Sequence, residues 1–85
     1  MGVQDDRFEA MSDDDLVRHL QVEAQERRDD LAIGERTSDL GVPEWIAEIS
    51  HEGGLAGRTV MFAARGASRR EAMLALARLL AAAGT

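Results

Sequence analysis

Residues 65–73 read Arg-Gly-Ala-Ser-Arg-Arg-Glu-Ala-Met. Ser68 and Glu71 stand three residues apart ahead of an apolar run, which is the S-x-x-E capping box of a helix N-terminus. Met73, Leu76, Leu79, Leu80 and Ala83 then recur at helical spacing, so a helix is predicted to about Ala83 with that stripe facing inward. On the other side of Gly66, in "RTVMFAA" (58–64), Val60, Phe62 and Ala64 alternate with Thr59, Met61 and Ala63, the period of a strand. The stretch is thus a strand-to-helix junction, and the rest of the chain is read from it.

Upstream, "WIAEIS" (45–50) puts Trp45, Ala47 and Ile49 on one face and Ile46, Glu48 and Ser50 on the other, a second strand. "HEGGLAG" (51–57) between the two strands reads as a glycine-rich hairpin loop, with Trp45 and Phe62 at the centre of the core. Residues 35–44, with Thr37, Ser38, Asp39, Gly41 and Pro43, read as a connector. Before it, Ser12 is a good N-cap and Asp13, Asp14 and Asp15 fill a first turn, where carboxylates suit the positive end of the helix dipole. Leu16, Leu20, Ala24 and Leu31 keep a helical stripe as far as Gly34, taken as the stop. Residues 1–11 have no period and read as a flexible tail. The expectation is one α+β domain over residues 12–85, an α-β-β-α arrangement in which an antiparallel hairpin packs against two helices.

A chain of 85 residues makes a thin core, and 14 of its residues are alanine while three, Phe8, Trp45 and Phe62, are aromatic. There is no cysteine, hence no disulfide, thiolate metal site or cysteine nucleophile, and an intracellular setting fits this best. The most apolar stretch, Ala72 to Ala83, is broken by Arg78 and too short to span a bilayer. A cytoplasmic protein without membrane attachment is expected.

Charge is unevenly placed: residues 1–52 carry a balance of −10, and residues 53–85 a balance of +4. All ten basic residues are arginine. His19 and His51 are accompanied by no convergent nucleophile and no metal-ligand spacing, and both read as surface residues. The aspartates at 13–15 lack the spaced oxygen ligands of a calcium loop, and "HEGGLAG" lacks the strand-loop-helix order and terminal Lys-Ser or Lys-Thr of a nucleotide site. No catalytic, cofactor-binding or metal-binding residue is therefore assigned, and an enzyme is not expected.

Two resemblances rest on the capped helix. Gly66, Ser68, Arg69, Arg70, Ala72, Ala75 and Leu79 resemble the second helix of double-stranded-RNA-binding domains, over about twenty residues. That likeness implies phosphate contacts by the basic helix start. The chain departs from it at Met73, where a further basic residue is usual, in lacking the family's Gly-Pro-x-His loop, and in having two strands before the helix instead of three. "WIAEISHEGG", a strand, a glycine, Ser68 and "EAMLALARLL" are similar to HicB-type antitoxins, implying a partner-binding domain, with one strand again lacking.

Two functions follow from the residues. The first is a small non-enzymatic protein-binding or regulatory module, which meets an unidentified protein partner through an acidic N-terminal helix and a sheet edge. Its candidate contacts are Asp14, Glu23, Glu26, Asp29 and Asp30. The alternative is a nucleic-acid-binding module using Arg58, Arg65, Arg69, Arg70 and Arg78 as anion contacts. The net charge of −6 disfavours the alternative, because an acidic field repels the ligand. A two-stranded hairpin is marginal on its own, so a homodimer joined through strand edges is also expected.

Overall fold

The structure, a computed structural model, describes residues 7–53 and 57–84. In chain order these form α1 (Asp13–Glu26), β1 (Asp30–Thr37), β2 (Pro43–Glu52), β3 (Arg58–Gly66) and α2 (Arg69–Ala83). The α+β class and the β2–β3 hairpin are as expected, and a third strand, β1, stands in front of them. It occupies residues read in the sequence as the end of the first helix and the connector.

Both helix starts follow from their caps. The Ser12 Oγ accepts the Asp15 N–H, and the Ser68 Oγ accepts the Glu71 N–H, each at 3.1 Å. Replacing Ser68 by alanine leaves that amide without its side-chain acceptor and is expected to cost about 1 kcal/mol, read by chemical denaturation.

The first helix stops eight residues short of Gly34. Its last turn is closed by Arg28 N–H to the Gln25 carbonyl (3.0 Å) and Asp29 N–H to the Ala24 carbonyl (2.9 Å), the paired bonds of a Schellman motif. Arg28 occupies the left-handed position, with φ 60°. Glycine is the usual residue there, and an arginine pays the Cβ penalty. Arg28→Gly is accordingly expected to stabilise the protein by about 0.5–1 kcal/mol, seen as a raised denaturation midpoint.

The sheet is antiparallel, in the order β1-β2-β3. Its register sets Leu31 and Phe62 on either side of Ile49, and Ile33 and Ala64 on either side of Ala47. These residues belong to or pack against one cluster with Leu16, Leu20, Ala24, Met73, Leu76, Ala77 and Leu80 from the helices. Both helices thus cover one face of the sheet, and the alternation of the strands leaves the other face outside. Trp45 and Phe62 are half-buried at the margin of the core, whose centre is aliphatic. On α2, Met73, Leu76 and Leu80 are buried as the stripe implies, while Leu79 and Ala83 are exposed and Ala72, Leu74 and Ala77 are buried in addition.

One irregularity interrupts the sheet. Ile49 pairs with Phe62 but Ser50 pairs with Val60, so β3 carries an extra residue, Met61, in a β-bulge. The bulge breaks the inward alternation expected for Val60, which is 50% exposed beside Met61 at 52%. Across from Val60, Ser50 is buried, and its hydroxyl accepts the Arg58 Nε–H at 2.8 Å.

The expected flexible tail of residues 1–11 includes 1–6, which lie outside the described residues. From Arg7 onward the chain turns and docks: Met11 N–H bonds the Phe8 carbonyl, and Phe8 is only 6% exposed, in the core and against the His19 ring. Part of the predicted loop at 51–57, residues 54–56, is also outside the described set.

Candidate interaction surfaces

The sequence points to two groups of charged residues, and the folded chain assembles neither into a single patch. Among the anion candidates, Arg70 bonds Asp13 at 2.8 Å and the Glu9 carbonyl at 2.7 Å, and Arg78 bonds Glu9 at 3.1 Å. Arg58 serves Ser50 and lies 3.6 Å from Glu48. Arg65 and Arg69 form no ion pair among the described residues. Three of the five arginines therefore hold the acidic N-terminal half or β2 to the C-terminal half, which offsets the charge a phosphate would need.

The acidic candidates divide in a similar way. Glu23 pairs with Arg27, whose guanidinium also lies 5.5 Å from the centre of the Phe62 ring. The Asp29 side chain is 7% exposed and accepts from His51 Nδ1 at 2.9 Å, tying the end of α1 to β2. Asp14, Glu26 and Asp30 are exposed. Asp14 and Glu26 lie at opposite ends of α1, roughly 18 Å apart at 1.5 Å rise per residue, too far for one contact.

Asp29 and His51 line a shallow depression of about 510 Å³ with Arg27, Met61 and Phe62. With a carboxylate on Nδ1, His51 takes the tautomer that donates from that nitrogen. Asp29 thus orients His51, yet no hydroxyl or thiol lines the depression. Among the described residues no three His, Cys, Asp or Glu side chains converge on a metal position, and no helix is long and apolar enough to cross a membrane.

The backbone shows a clearer feature. At the β1–β2 turn, the Ser38 N–H bonds the Val42 carbonyl, making that couple a hydrogen-bonded pair. Pairs in an antiparallel ladder alternate between bonded and non-bonded. Counting from Ser38–Val42, Glu44, Ile46 and Glu48 direct their backbone groups to β1, and Trp45, Ala47 and Ile49 direct theirs to β3. Phe62, Ala64 and Gly66 receive them. It follows that the N–H and C=O groups of Ala63 and Arg65 face away from β2, along an edge where no further strand is paired. A sequence pattern gives no sign of this, because it depends on which turn pair is bonded.

The β3 edge has an apolar flank in the half-exposed Val60 and Met61. Its outer face carries Ala63 beside Glu48, and Arg65 beside Ile46 and Gly34. The bulge at Met61 bends the edge and limits the regular run to Phe62–Gly66, a common way to keep an edge from pairing indiscriminately. At the far side of the sheet, the β1–β2 turn is fixed by Ser38, whose hydroxyl accepts the Val42 N–H and whose carbonyl accepts the Gly41 N–H. It presents Leu40 at 90% exposure. No family model, curated protein or solved structure matches this chain.

Proposed function

We propose that the protein is a non-enzymatic protein-binding module, regulatory in role, that receives an extended segment of its partner as a fourth strand on β3. The observation that carries this reading is the row of outward N–H and C=O groups at Ala63 and Arg65, next to the exposed Val60 and Met61. Strand addition draws its affinity from such main-chain groups and its selectivity from alternate side chains. The edge offers both, whereas the acidic residues of α1 are spread out or paired internally.

The nucleic-acid reading loses weight because Arg58, Arg70 and Arg78 are engaged within the chain. The third strand removes one departure from double-stranded-RNA-binding domains, but Asp13 now stands against the helix start that such a domain would turn toward phosphate. A homodimer is the competing occupant of the same edge. β1 already supplies the third strand that a lone hairpin lacks, so a second copy is not needed to complete the sheet.

Ala63→Pro tests the reading. Proline removes an N–H that β2 does not use and is tolerated on edge strands. The variant is expected to keep its circular dichroism spectrum and to lose at least tenfold in affinity for a partner that the wild-type chain captures from its native host. A folded variant that holds the same partner equally well would refute edge binding. Salt-sensitive binding of a short RNA or DNA duplex, lost in Arg65→Ala/Arg69→Ala, would favour the nucleic-acid function instead.

A further inference from the structure

We infer that the segment received by β3 is acidic, an inference that rests on the strand-addition reading above. Residues 53–70 contain four arginines and no acidic residue, in a chain whose net charge is −6. In the fold Arg70 is paired with Asp13 of α1 and Arg58 lies 3.6 Å from Glu48, which leaves Arg65 as the arginine of β3 with no ion pair among the described residues.

Within the regular run of β3, Arg65 combines two roles. Its backbone groups face the open edge, and its exposed side chain forms no ion pair among the described residues. An incoming strand sets side chains directly across from those of the edge strand, where opposite charges attract and like charges repel. Glutamate or aspartate on the outer face of the partner strand meets Arg65. The intervening positions lie toward the Phe62 side, where apolar side chains fit.

The same geometry discriminates against a second copy. Two β3 strands laid antiparallel over Ala63–Arg65 bring both Arg65 side chains onto one short stretch, with no acid in either strand to offset them. A basic partner strand meets the same repulsion.

Two blocked octapeptides test this, one alternating valine with glutamate and the other valine with lysine. Each is titrated into the isotopically labelled protein at low and high salt, with amide exchange at Ala63 and Arg65 as the readout of edge occupancy. The glutamate peptide is expected to bind about tenfold more tightly at low salt, with a gap that narrows at high salt. Arg65→Gln is expected to close the gap while both peptides still protect the Ala63 amide. Equal affinities with Ala63 and Arg65 protected would overturn the acidic inference and leave edge binding standing. Failure of both peptides to protect those amides would overturn edge binding itself. Preference for the lysine peptide would reverse the inference.

Discussion

Gly66→Ala is expected to be among the most damaging single changes in the protein. A Cβ at this position would lie 2.5 Å from the Ala72 nitrogen and 2.7 Å from the Glu71 carbonyl carbon. Both are backbone atoms of the first turn of α2, so no rotamer change relieves the clash. The end of β3 and the start of α2 would have to separate, pulling the Ser68 cap and the buried Ala72 and Met73 with them. A loss at or above the upper end of the about 1–3 kcal/mol typical of overpacking is expected. For a domain of this size that lowers the thermal midpoint by roughly 10–20 °C, measurable by circular dichroism. A melting curve indistinguishable from wild type would mean that helix and strand do not approach as described.

Leu20→Ala is the second large effect. Leu20 is fully buried in the cluster that joins α1 to the sheet and α2. Shortening it leaves a cavity in a small core with little material to collapse into it, at a cost of about 2–5 kcal/mol. Against a total stability on the order of 4–13 kcal/mol for a chain of this length, α1 would be loosened or the whole domain unfolded. Denaturant titration followed by circular dichroism reads the loss. A change below about 1 kcal/mol would place α1 outside the cooperative core.

These two sites differ in how far the sequence reveals them. Leu20 belongs to a stripe with Leu16 and Ala24, a pattern that predicts its burial directly. Gly66 is recognisable as a turn residue, but its closeness to Ala72 depends on the angle at which α2 returns over β3. The same contrast holds for the strands. Alternation exposes β2 and β3, and the capping box places α2 to the residue. β1 escapes because Leu31 lies seven residues after Ala24, in phase with the helical stripe, and because the stop at Arg28 uses an arginine where glycine is the usual signal. Leu31 and Ile33, spaced by two, are the trace of a strand that the helical period hides.

The candidate surface was legible only in part. An open sheet edge and the arginines near α2 follow from the sequence, and Arg65 belongs to both. The internal partners of Arg58, Arg70 and Arg78 do not, since Glu9 and Asp13 reach Arg70 and Arg78 only after the N-terminal segment folds back. The bulge at Met61 depends on a cross-strand register that one strand cannot specify. Exposure of Val60 is its direct result.

Residue-resolved amide hydrogen exchange on the free protein, at two concentrations, tests the open β3 edge most directly. Phe62, Ala64 and Gly66 donate toward β2, and their amides are expected to exchange slowly, whereas Ala63 and Arg65 exchange fast at both concentrations. Protection of Ala63 and Arg65 as strong as that of their neighbours, and rising with concentration, would contradict the account, because a second copy of the chain would then occupy the edge reserved here for a partner.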